Sequence, residues 1–266
     1  MNILKALSIM IIAGLVAQAA PVLAVNSISN STNWAGYAAT GGKFTSVSGT
    51  WNVPAVSNAA RGSADTVWVG IGGVKTSDLI QAGTQATTNS AGQTEYAAWY
   101  EMLPQTVQTM PVNIGANDSV TVSITQQASS QWLISFKDNT SGATYQNTFV
   151  YSSSLGSAEW VVEAPSVSRG IISLDNFGSV QFSNCYAIKD GNAVNVSQSG
   201  AASITMLNGN KLALAVPSAV SSGSDFSVAR TSAVSTAGSR LSGRMYSFRG
   251  RGYSARRSFG FYWFIR

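Results

Sequence analysis

The chain has 266 residues, enough for one large β-domain or two ordinary ones with a real core. Only 10% of the residues are charged, against roughly 25% in ordinary soluble domains, while Ser, Thr, Asn, Gln and Gly abound; the formal net charge is +5, with no histidine and one cysteine. That alphabet excludes Ser-His and Cys-His nucleophiles, His-ligated metals, Cys-based zinc clusters and an internal disulfide framework.

Met1 to Ala24 reads as a secretory signal. Lys5 supplies the positive start, Ala6 to Val16 the apolar run, and Ala17-Gln-Ala19 or Val22-Leu-Ala24 the cleavage site. The apolar run has only about half of the ~20 residues a bilayer span needs, so export without stable membrane insertion is expected, to an extracellular or periplasmic location. About eight residues then lead to Asn33, too few and too polar for a propeptide that could cover a cleft.

Phe44 to Pro54 alternates weakly, as in a strand with both faces partly covered, and Pro54 ends it. Three short runs follow: Trp68-Val-Gly-Ile-Gly-Gly73, Leu79-Ile-Gln-Ala-Gly83 and Glu95-Tyr-Ala-Ala-Trp-Tyr-Glu-Met-Leu-Pro104. Each is apolar or aromatic and bounded by turn formers, so each reads as a strand. Alternation puts Trp99 and Glu101 on one face of their strand and Trp68, Gly70 and Gly72 on one face of theirs. Aromatic walls over glycine floors suit an extended chain. Gln81 stands among Leu, Ile, Ala and Gly, where it is either a satisfied core amide or a functional one.

Ser119 to Thr125 alternates strictly, with Val120, Val122 and Ile124 inward. Trp132–Phe136, Thr144–Tyr151, Ser157–Pro165, Gly178–Ile188, Ala202–Leu207, Lys211–Val216 and Phe226–Arg230 continue the run of short strands. No segment keeps a 3.6-residue period over three turns. The expected fold is all-β: an antiparallel two-sheet sandwich of jelly-roll or concanavalin-like type with a concave cleft, over residues 25–230. Glu159, Val161 and Glu163 share a strand face, which by itself reads equally as a solvated edge or as a pair of working carboxylates.

From Thr231 onward there are seven arginines and no acidic residue, so the positive charge belongs to this tail and not to the domain. Arginine interleaved with aromatics, as in Arg249-Gly-Arg-Gly-Tyr253, suits single-stranded nucleic acid. On an exported protein no nucleic-acid partner is expected, and 231–266 reads as a disordered extension.

Several of these motifs, in this order, resemble the glutamic peptidases, the eqolisin family, as a prokaryotic-type member. They are Asn33-Trp34, Trp68-Val-Gly-Ile, Leu79-Ile-Gln-Ala-Gly83, Trp99-Tyr-Glu101, Ala158-Glu-Trp-Val-Val-Glu163 and Phe182-Ser-Asn-Cys185. The resemblance implies a secreted acid endopeptidase with Gln81 and Glu163 as its catalytic pair. Glu163 would activate water and Gln81 would stabilise the oxyanion. It also implies Trp34, Trp68, Trp99 and Glu101 as substrate-binding residues, a polypeptide substrate, no metal or cofactor, and a monomer. Gly72 and Ala97 stand where fungal members carry aspartates, and the fungal disulfide partners are missing, which leaves Cys185 a free, buried thiol. A glutamate base pushed upward by the desolvating tryptophans, but less so without the two aspartates, would place the rise in rate at about pH 3–5. Two other classes fit the residues: a β-sandwich glycosidase using Glu101 and Glu163, and a sugar- or peptide-binding module that needs neither acid.

Overall fold

The computed structural model describes residues 29–57, 60–168 and 170–234. The expected signal segment and residues 235–266 of the expected tail lie outside the described residues. Among the described residues the chain forms eighteen strands and no helix. The first seven are β1 (Ser29–Ser31), β2 (Trp34–Thr40), β3 (Phe44–Asn52), β4 (Ala64–Gly72), β5 (Leu79–Thr88), β6 (Thr94–Met102) and β7 (Gln108–Thr109). Then come β8 (Ser119–Ala128), β9 (Gln131–Asp138), β10 (Thr144–Val150), β11 (Ser157–Glu163), β12 (Ser166–Val167) and β13 (Gly170–Ile171). The last five are β14 (Ser179–Lys189), β15 (Asn192–Asn195), β16 (Ala202–Leu207), β17 (Ala213–Pro217) and β18 (Phe226–Val234). The last strand runs four residues past the domain end expected at 230. Six strands are not expected from sequence: β2, of seven residues, and β1, β7, β12, β13 and β15, which have two to four residues each, too few to show a period.

The expected sandwich is present, as two layers of one sheet folded over. One layer is ordered β10-β9-β8-β3-β14 and the other β2-β11-β4-β5-β6-β7, with β18, β17 and β16 carrying the hydrogen bonding continuously from one to the other. Pairing along this path is antiparallel, and only the short β1 adds in parallel, on β16.

Period-two alternation decides what lies between the layers. Val120, Val122 and Ile124 of β8 and Val47 and Trp51 of β3 meet Val67, Val69 and Ile71 of β4 and Trp160 and Val162 of β11 in a single core. Two of the buried indoles find hydrogen-bond partners across the layers. Trp160 Nε1 donates to the Ser48 carbonyl at 2.8 Å, and Trp51 Nε1 to Thr84 Oγ1 at 2.9 Å. The alternate residues of β4, β5, β6 and β11 are left on the outer face. Cys185 is free and fully buried in the same core.

Candidate active site

The concave face is laid out in rows because the register across β11, β4, β5 and β6 is unbroken. Glu159 lies opposite Gly70, Gly70 opposite Gln81, and Gln81 opposite Glu101. The next same-face row is Val161, Trp68, Gly83 and Trp99, and the one after it Glu163, Thr66, Gln85 and Ala97. Trp34 of β2 extends that last row, opposite Glu163. Trp34 and Glu163, 129 positions apart in sequence, thereby share one surface.

Gln81 and Glu163 sit diagonally on either side of Trp68. The glycine opposite that indole is required sterically: a Cβ on Gly83 would lie 2.0 Å from the Val67 carbonyl oxygen and 2.7 Å from Trp68 Cβ. Trp68 Nε1 donates to Glu163 Oε2 at 2.8 Å. Asn33 Nδ2 donates to the other oxygen, Oε1, at 2.9 Å. On the far side of Trp68, Gln81 Nε2 donates to Glu101 Oε2 at 2.7 Å. Trp34 stands edge-on to Trp68, ring centres 5.0 Å apart.

Of the six residues singled out from sequence, all lie on this face, but not all as cleft walls. Trp68 has no exposed surface and Trp99 is 4% exposed, so only the half-buried Trp34 presents much indole to solvent. Trp68 meets the site through its N–H. Two residues of this face were not singled out. Asn33 was quoted only as a neighbour of Trp34, and nothing in its spacing pointed to a carboxylate 130 positions on. Glu159 is no solvated edge residue: β11 runs between β2 and β4, and the side chain is fully buried.

Burial sets the protonation of this face. It lifts Glu163 to about 8, while the Trp68, Trp34 and Asn33 donors favour the ionised form and the nearby Glu101 charge disfavours it. It lifts Glu101 to about 7 against the stabilising Gln81 N–H. Glu159 is lifted well above the usual range by burial, with the Asp78 charge adding to the effect. The Glu163 and Glu101 values both lie above the ordinary glutamate range. Asp78 itself leans against Gly72, its Oδ2 2.9 Å from where a Cβ would stand, and is held low by the Ser154 and Thr76 donors against its own burial.

No three His, Cys, Asp or Glu side chains converge as metal ligands among the described residues. A separate concavity of about 360 Å³ lies at the sandwich end between Ile171–Leu174 and Leu207–Gly209. Two of its lining residues, Thr32 and Ala164, are chain neighbours of Asn33 and Glu163, and no ionisable side chain lines it.

The sequence profile of the Peptidase A4 family matches residues 32–230. The chain belongs to that family. Aspergillopepsin-2 of Aspergillus niger is 28% identical over 204 residues, 66% of this chain and 72% of that protein. Scytalidopepsin B of Scytalidium lignicola is 29% identical over 195 residues, 67% and 73% of the two chains. Among solved structures, scytalido-glutamic peptidase with a peptide based transition state analog superposes with a TM-score of 0.66 at 26% identity, covering 75% of this chain and 98% of that one. Aspergilloglutamic peptidase from Aspergillus niger gives 0.57 at 26% identity, over 64% and 99%. This peptidase A4 member is a glutamic endopeptidase by family, and the glycosidase and binding-module readings fall.

Proposed function

We propose that this peptidase is exported and cleaves polypeptides in acid through Glu163 and Gln81. The observation that carries the reading is the way Glu163 is held. Oε1 accepts from Asn33 and Oε2 from Trp68, and the Trp34 donor also favours the ionised form, which still leaves the carboxylate lone-pair capacity for a water. As the carboxylate, Glu163 takes a proton from that water, which attacks the scissile carbonyl. Gln81 Nε2 spends one hydrogen on Glu101 and has the second for the developing oxyanion. Glu163, now protonated, returns its proton to the leaving amine.

The raised pKa values suit the second half of this cycle. With Glu163 near 8 and Glu101 near 7, the cleft carries protons throughout the acid range, so the amine's proton is at hand. The water-activating form is then a minority, about one molecule in a thousand at pH 5 for a group titrating near 8. Export rests on the Lys5, Ala6–Val16 and Ala24 pattern.

The test is turnover of casein at acid pH by the wild type, Glu163→Gln and Gln81→Ala, with EDTA as a parallel arm. Glu163→Gln should abolish turnover with the fold intact. Gln81→Ala should lose about 10²–10³ in kcat, as removal of an oxyanion donor does. EDTA should change nothing. An active Glu163→Gln enzyme, or loss of activity with EDTA, would overturn the mechanism.

A further inference from the structure

Glu159 is fully buried, and no well-formed hydrogen bond reaches either of its carboxyl oxygens, although the Ser157 hydroxyl, two residues back on the same strand face, lies near enough to favour the ionised form. A lone ionised carboxylate in such a place is prohibitively costly, so the group is held as the neutral acid. A neutral acid carries an O–H donor, and beyond the loosely placed Ser157 hydroxyl this one has no bonded acceptor. One glycine away lies the converse. Gln81 Oε1 is buried and accepts from nothing, although Nε2 of the same amide is bonded to Glu101.

The register brings the two together. Glu159 and Gln81 flank Gly70 on opposite sides in one row of the cleft face. Gly70 has no side chain to part them. A Cβ built on it would lie 3.3 Å from Glu159 Oε2, 2.8 Å from the Trp68 ring and 3.0 Å from Leu79 Cδ1, so the carboxyl leans over the glycine towards β5. The backbones are two strand spacings of about 4.8 Å apart, a gap that a glutamate and a glutamine leaning towards each other close.

We propose that Glu159 is a positioning residue for Gln81: over Gly70 its carboxyl O–H donates to Gln81 Oε1 and keeps the amide nitrogen turned into the cleft. The inference rests on Gln81 being the oxyanion donor. With Oε1 held by Glu159 and one Nε2 hydrogen held by Glu101, the second Nε2 hydrogen has one direction left, the oxyanion's. An amide free to turn over would offer its oxygen lone pair to that oxyanion instead, and would repel it.

The experiment compares Glu159→Leu, Glu159→Gln, Gln81→Ala and the Glu159→Leu/Gln81→Ala double variant, on kcat, KM and melting temperature. Glu159→Leu should fold at least as stably as the wild type, because it removes a buried unpaired acid. Its kcat should fall about ten-fold with KM unchanged, a fraction of the 10²–10³ that loss of an oxyanion donor costs. Glu159→Gln, whose NH₂ can replace the O–H donor, should retain most of kcat. In the Gln81→Ala background Glu159→Leu should have no further effect on kcat, since the group it orients is gone. A well-folded Glu159→Leu enzyme with wild-type kcat overturns the inference, as does a loss of kcat of the same size in the Gln81→Ala background. If Gln81→Ala itself keeps full activity, it is the proposed dyad that fails.

Discussion

Raising the pH should loosen this protein from within. Burial lifts Glu101 from 4.5 to about 7 and Glu163 from 4.5 to about 8. In the unfolded chain both lose their protons near 4.5, so between that pH and about 8 the folded state holds more protons than the unfolded one. The stability these two groups contribute is therefore complete below about pH 4.5 and falls as the pH rises through the window. At 1.36 kcal/mol per unit, the loss is about 3 kcal/mol for Glu101 and about 5 kcal/mol for Glu163 once both are ionised. Three more buried carboxyls push the same way. Burial lifts Glu159, and it lifts Asp65 with help from the adjacent Asp175 charge; burial lifts Asp175 too, although the Arg230 charge opposes it. Against a total of about 5–15 kcal/mol for a folded domain, this is a large fraction. At about 2–4 °C per kcal/mol for a domain of this size, the melting temperature should drop on the order of 20 °C between pH 4.5 and 8. Melts followed by tryptophan fluorescence across that range measure it, and Glu101→Gln should remove about 3 kcal/mol of the slope. A melting temperature that stays level or rises over this range would refute the reasoning.

Activity should follow from the same groups: kcat/KM climbs with pH as Glu163 ionises, until falling stability overtakes it, so the measured maximum lies below pH 7; rate and a folding probe recorded at the same pH values check this. Trp68→Phe keeps an aromatic ring but removes the N–H on Glu163 Oε2, a hydrogen bond to a charged group worth about 1.5–3 kcal/mol, so kcat/KM should fall about 10–100-fold and its rise should move to higher pH. Gly83→Ala drives a Cβ into the Val67 carbonyl at 2.0 Å and should cost several kcal/mol, read as loss of soluble folded protein or a sharply lower urea midpoint. Thiol alkylators should leave activity unchanged, because Cys185 is fully buried and burial holds the thiol protonated, as a mass measurement of unmodified native protein would register.

Much of this was legible in the chain because strand physics is local. A period of two in Val120, Val122 and Ile124 sends those residues inward wherever the strand ends up, and the missing 3.6-residue period excludes helices. The same parity put Trp99 with Glu101 and Glu159 with Glu163 on shared faces, and the absence of histidine narrowed the chemistry to carboxyl and amide. Parity says nothing about which strands are neighbours. That Glu163 meets Asn33 across 130 positions, and that Gln81 faces Glu101 on one side and Gly70 on the other, follows from the order β2-β11-β4-β5-β6, which only long-range pairing sets. Burial is decided at the same level. Glu159 looks like an edge glutamate in sequence, yet β11 is an inner strand, and the water it loses there makes it a neutral acid. The pKa of Glu163 likewise depends on how much solvent Trp34, Trp68 and the neighbouring strands exclude, a property of the packed site that the order of its residues does not contain.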